Sequence, residues 1–155
     1  MSSVKIGNKA PDFTGATDGG GTFSVKDLGR RKLVLYFYPK NGTPGCTTEA
    51  QGFRDAIEFF RQEGAEVVGV SKDSIKQHDN FKEKHQLPFP LISDADGEIC
   101  KAYGVWQTKK NYGREYMGIV RSTFLVDAEG NVARVWKNVR VKGHVDEVLA
   151  AVRSL

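Results

Sequence analysis

The sequence predicts an α/β protein built on a mixed sheet with helices on both faces. Three observations predict it. The run KLVLYFYP (32–39) is continuously apolar and aromatic and has the length of a strand covered on both sides. Strand-like and helix-like segments alternate through the first half, which implies parallel pairing through crossovers. The second half carries GIVRSTFLVDAEGNVARVWK (118–137), two strand-like runs around a DAEGN turn, and so antiparallel pairing. At 155 residues the chain has single-domain length and can bury one core, so residues 1–155 are read as one domain.

Each element follows from local chemistry. FTGAT and TFSV are short extended pieces around the DGGG turn at 18–21. After the central run, Thr43 suits a helix N-cap and Pro44 suits the first helical position. A helix is expected from Pro44 to about Glu63, ended by Gly64. At about 100° per residue, Cys46, Ala50, Phe53, Ile57 and Phe60 fall within about 40° of one another and form its inward stripe. Glu49 is expected on another side. AEVVGVS (65–71) is the next strand, and SIKQHDNFKEKHQ (74–86) a second helix stopped by Pro88. PLISDADGE supplies a short strand and a turn into EICKAYGV. WQTKKNYGREYMG (106–118) reads as a solvated connection, with a loop near the active site or a partner surface as the alternatives; HVDEVLAAVRS (144–154) is a closing helix. This order fits a thioredoxin-like sheet with an N-terminal extension.

Composition narrows the function classes. A net charge of +4 with no basic cluster longer than GRRK (29–32) suggests a solvated surface rather than a nucleic-acid site. No stretch approaches the ~20 apolar residues of a membrane span, and the N-terminus lacks the apolar segment of a signal peptide. Two distant cysteines do not form a secreted disulfide scaffold, so a reducing cytoplasm is expected. His78, His85 and His144 are scattered without metal-ligand spacing, and DADGE and DAEGN are ordinary turns; no metal or cofactor is expected.

The chemistry centres on TPGCTTEAQ (43–51). Cys46 falls in the first turn of a helix, where unpaired N–H groups and the dipole favour thiolate over thiol. Full ionisation of a thiol at neutral pH is worth only about 30-fold, about 2 kcal/mol of barrier, so larger acceleration needs donors around the reacting atoms. A dithiol oxidoreductase would place a second cysteine at position 43. Thr43 cannot form a disulfide, which points to a single thiol attacking an oxygen-containing substrate.

YFYPKNGTPGCTTEAQGFRD resembles the active-site stretch of the peroxiredoxins, nearest to the bacterioferritin comigratory protein (PrxQ-type) subfamily. The motif P-x-x-x-T-x-x-C is met by Pro39, Thr43 and Cys46, and RSTFLVDAEGNV resembles the family's later arginine-bearing strand. IGNKAPDFT and SKDS match as well, so the resemblance runs from about Val4 to Leu155. It implies a thiol peroxidase for hydrogen peroxide and organic hydroperoxides. Cys46 would be the peroxidatic cysteine that becomes a sulfenic acid. Thr43 would hydrogen-bond the peroxide, Arg121 would hold the thiolate and developing oxyanion, and Pro39 would shield the thiol. The Gly45 and Cys46 N–H groups would complete the oxyanion site, with Glu49 in support, orienting an arginine.

The chain departs from the family pattern at Gln51, where many members carry a resolving cysteine. Position 51 lies about 140° around the helix and ~7.5 Å along it from Cys46. Cys100 is the second thiol. It is read as a buried structural residue on a short helix, with a resolving role or an intermolecular disulfide as the alternatives. One-cysteine recycling by thioredoxin, glutaredoxin or a small thiol is therefore expected, in a monomer. The competing functions are a thiol–disulfide oxidoreductase on the same fold and a non-catalytic basic binding protein.

Overall fold

The computed structural model describes residues 4–155. The elements run β1 (Thr14–Thr17), β2 (Thr22–Ser24), β3 (Lys32–Phe37), α1 (Pro44–Gln62), β4 (Ala65–Ser71), α2 (Ile75–His85) and β5 (Leu91–Ser93). They continue with α3 (Glu98–Ala102), β6 (Trp106–Asn111), β7 (Arg114–Ile119), β8 (Ser122–Val126), β9 (Val132–Trp136) and α4 (His144–Arg153). Seven strands form one sheet in the order β2-β1-β5-β4-β3-β8-β9. The β3–β4 and β4–β5 pairs are parallel; β3–β8, β8–β9, β1–β2 and β1–β5 are antiparallel. The sheet is mixed, as the sequence predicts.

Central β3 divides the core by its alternation. Val34, Tyr36 and Tyr38 face the layer of α1, α2 and α4, and pack with Cys46, Phe53, Phe81 and Val152. Leu33, Leu35 and Phe37 face the opposite layer, with Cys100, Tyr103 and Phe124. That second face is covered by the five-residue α3, the base of the β6–β7 hairpin and the N-terminal segment, so the helical cover is uneven. The predicted inward stripe of α1 is buried, and Glu49 is buried with it. Three residues turn a helix by about 300°, so Glu49 stands about 60° from Cys46 on the same face, not on another side. Gly64 ends the helix region in the left-handed conformation, at φ 71°.

One segment differs from its prediction. Residues 106–118 are not an irregular connection; they belong to the β6–β7 hairpin, a separate two-stranded sheet. Tyr112 and Gly113 form its turn, both with positive φ (52° and 77°). The hairpin carries no apolar alternation because only its base touches the core. The run expected as one strand from 118 is likewise split: Gly118 and Ile119 close β7, and β8 begins at Ser122. Val120 and Arg121 form the junction.

Phe53 organises the helical layer. It is fully buried, stacks on Tyr36 at 4.7 Å, and meets Phe60 and the edge of His144. Phe53→Ala should lower unfolding free energy by about 3–5 kcal/mol, measured by urea denaturation.

Candidate active site

Cys46 is the third residue of α1 and only 1% exposed. Thr43 holds the N-cap position with extended backbone, and its carbonyl accepts the Thr47 N–H at 2.9 Å. Its hydroxyl does not cap the helix. It donates to the Lys40 carbonyl at 3.1 Å, which leaves its lone pairs open to accept a hydrogen bond. Pro44 has no N–H, so Gly45 and Cys46 carry the first free donors of the helix.

Arg121 comes to the sulfur from the sheet. Phe37 pairs with Ser122, so Arg121 emerges just beyond the end of β3, beside Tyr38 and Pro39. Its Nη2 donates to Cys46 Sγ at 3.2 Å and its Nη1 to Glu49 Oε1 at 2.6 Å. A Cβ on Gly45 would stand 3.1 Å from Nη2, so glycine there lets the guanidinium lie against the helix start. Burial opposes the Arg121 charge, but Glu49 and Cys46 outweigh it and hold its pKa above the ordinary value. Burial pushes the Glu49 carboxyl up to about 7 against the pull of Arg121, and its Oε2 has no hydrogen-bond partner among the described residues. Burial also holds the Tyr36 and Tyr38 phenols well above their ordinary range.

Pro39 and Arg121 stand on the wall of a cavity of about 470 Å³, with Lys109, Lys110, Val120 and Val139 around them. Cys46 lies behind Arg121 rather than on this wall. A second cavity, of about 520 Å³, lies between α1 and α4 beside Phe59 and holds none of these groups.

The AhpC/TSA family profile matches residues 6–135. A peroxiredoxin Bcp of Coxiella burnetii is 51% identical over 147 residues, covering 95% of this chain and 97% of its own. The Bacillus subtilis Bcp is 49% identical over 153 residues, covering 99% and 98%. The Xanthomonas campestris bacterioferritin comigratory protein, studied for alkyl peroxide reduction, superposes with a TM-score of 0.91 at 42% identity, covering 97% and 98% of the two chains. A cysteine-to-serine mutant of Xylella fastidiosa PrxQ gives 0.93 at 38% identity, covering 99% and 98%.

This chain belongs to the AhpC/TSA family. It is a peroxiredoxin of the Bcp, or PrxQ, type and a thiol peroxidase. No helix among the described residues is long and apolar enough to cross a membrane.

The loop that carries Pro39 and Thr43 in this peroxiredoxin is tied down by a buried polar network that sequence reasoning missed. Tyr38 O–H donates to Asn41 Oδ1 at 2.7 Å, and the Asn41 N–H donates to Asp73 Oδ2 at 2.9 Å. His78 Nε2 lies 2.9 Å from the Ile92 carbonyl, so Nε2 carries the proton and Nδ1 accepts from Asn41 Nδ2 at 3.0 Å. Ser71 O–H donates to Asp73 at 2.6 Å. Burial pushes the His78 pKa down, which matches a neutral ring. Only the SKDS match hinted at these residues, because their partners come from four separate segments.

The peroxiredoxin's two thiols lie on opposite faces of the sheet. Cys100 is fully buried on α3, its N–H donates to Asp94 Oδ2 at 2.8 Å, and burial raises its thiol pKa far above the ordinary value. Gln51 Nε2 lies 3.4 Å from His85 Nδ1, between α1 and α2. The other histidines are also engaged in the fold: His144 Nε2 is 2.8 Å from Thr123 Oγ1, and burial takes its pKa down to about 4.

Glu49 makes a pH prediction. Its folded pKa is raised from 4.5 to about 7, so its contribution to stability is full below about pH 4.5 and is lost as pH rises through 7. His144 works in the opposite sense, adding stability above about 6.5 that is lost as pH falls through 4. Glu49→Gln removes the first effect and leaves the second. Between about pH 5 and pH 8, wild type should therefore lose more, or gain less, stability than Glu49→Gln, as read by urea denaturation at each pH.

Proposed function

We propose that the chain is a single peroxidase domain that turns over through one cysteine, Cys46. The observation that carries this reading is the Arg121 guanidinium, which donates to Cys46 Sγ while the buried Glu49 carboxyl holds its other arm. A cation fixed at the sulfur favours thiolate and remains in place to bind negative charge on oxygen.

The cycle has two balanced steps. The Cys46 thiolate attacks the terminal, O–H-bearing oxygen of a hydroperoxide, the S–O bond forms as the O–O bond breaks, and the departing alkoxide or hydroxide takes a proton from solvent to leave as alcohol or water. Cys46 is then a sulfenic acid. Two reducing equivalents from an external thiol return it to the thiol, with one disulfide and one water released. In the first step Thr43 Oγ1 accepts the hydrogen bond of the peroxide O–H, a role suited to a hydroxyl whose own proton is engaged by Lys40. Arg121 and the N–H groups of Gly45 and Cys46 face the developing oxyanion. Pro39 excludes water, and Glu49 positions Arg121.

The reductant is external: thioredoxin, glutaredoxin or a small thiol. Supporting this, Gln51 stands where many relatives have a resolving cysteine, and the sheet separates Cys100 from Cys46. The substrates are hydrogen peroxide and organic hydroperoxides, and the enzyme works as a monomer in a reducing cytoplasm.

Cys46→Ser should abolish peroxide consumption, while Cys100→Ser should leave it within about twofold of wild type. After one equivalent of hydrogen peroxide, mass spectrometry should find one added oxygen on the Cys46 peptide. A Cys46–Cys100 disulfide would refute the one-cysteine cycle.

A further inference from the structure

The basic charge of the chain is concentrated in segments that reach the wall of the cavity beside Pro39; of these residues, Lys109 and Lys110 line the wall itself. Three segments supply that wall: residues 38–43 with Pro39, 106–120 with Lys109, Lys110 and Val120, and 137–142 with Asn138 and Val139. They contain seven of the chain's 23 basic residues but only Glu115 of its 19 acids, a net charge of +6. The chain as a whole is +4, so everything outside these segments is −2. Arg121 does not enter this count, because Glu49 balances it.

The charges of these segments are largely uncommitted. Among the described residues, Lys40, Arg114, Lys137 and Arg140 are exposed and make no ion pair. Lys110 meets only Glu115, at 3.6 Å and in solvent, where such a pair is worth little. The same hairpin exposes large apolar surface: Tyr112 is 97% exposed, Met117 48% and Tyr116 46%. Exposed aromatic and sulfur side chains set among unpaired cations suit a protein contact.

We infer that these basic segments, with the β6–β7 hairpin among them, form the docking surface for a dithiol reductant protein whose thiol lies in an acidic, partly apolar face. The inference rests on the external-thiol cycle proposed above. A single anionic group on a hydroperoxide would need one or two cations; here the positive charge spreads over three segments, one of which also exposes Tyr112, Tyr116 and Met117. Hydrogen peroxide is neutral and gains nothing from the field. An acidic partner gains in encounter rate, and that gain falls with salt.

The test uses full-length enzyme with hydrogen peroxide and, in separate arms, an acidic thioredoxin or dithiothreitol as reductant. Arg114→Glu/Arg140→Glu alters exposed residues outside the reacting site. It should oxidise at Cys46 and turn over with dithiothreitol within about twofold of wild type, while kcat/KM for thioredoxin falls about tenfold or more. Arg114→Gln/Arg140→Gln should fall between. Raising salt from about 0.02 to about 0.3 M should depress the wild-type thioredoxin rate steeply and leave the dithiothreitol rate flat. Unchanged thioredoxin kinetics in both variants, or loss confined to carboxylate-bearing hydroperoxides, would overturn the docking surface. Failure of wild type with thioredoxin while dithiothreitol still recycles Cys46 would overturn it too, leaving the one-cysteine cycle standing. Absence of Cys46 oxidation by peroxide would instead remove the cycle on which it rests.

Discussion

Everything at this site depends on one guanidinium held between a cysteine sulfur and a buried carboxyl group. Arg121 reaches Cys46 Sγ with one nitrogen and Glu49 Oε1 with the other. A flexible ammonium could satisfy either contact, but the planar fork holds both in fixed relation. The arrangement is costly in isolation. The ionised form of a fully buried carboxyl whose Oε2 has no hydrogen-bond partner among the described residues is stabilised by Arg121 against the cost of its burial. The ion pair is thus better understood as a device for fixing the position of positive charge than as a source of net stability.

The surrounding structure serves that constraint from two directions. On the helix side, glycine at position 45 lets the guanidinium approach, and no side chain caps the first turn. The donors at the start of α1 are therefore not taken up by a side-chain cap. On the loop side, Asn41 is anchored by Tyr38, Asp73 and His78, which come from the end of β3, the segment after β4 and α2. A loop with this many buried polar partners has few alternative conformations, and it carries both Pro39 and Thr43.

The sheet itself shapes the redox chemistry. Alternation along β3 sends Tyr36 toward α1 and Phe37 toward α3, so Cys46 and Cys100 occupy separate layers. The difference in environment is also chemical: Cys46 receives a cation, whereas Cys100 is desolvated beside Asp94. A thiol in the second setting is a poor nucleophile. The different settings of the two cysteines thus follow from which way consecutive residues of one strand point.

Much of this was legible in the sequence because it is local. Strand β4 and the inward stripe of α1 follow from apolar runs and helical spacing, and the Pro39, Thr43 and Cys46 motif lies within eight residues. Other features needed the folded chain. Cys46 and Arg121 are 75 residues apart and meet only because β3 and β8 pair in one register. The orientation of the Thr43 hydroxyl depends on where the Lys40 carbonyl points, and the burial of Glu49 on the arrival of Arg121. The hairpin stayed hidden because strands held mainly by backbone pairing leave little hydrophobic pattern to read. Helix and strand periods are written by neighbours along the chain. A charge bridge, a hydroxyl's aim and a thiol's layer are set by groups that only folding brings within a few ångströms.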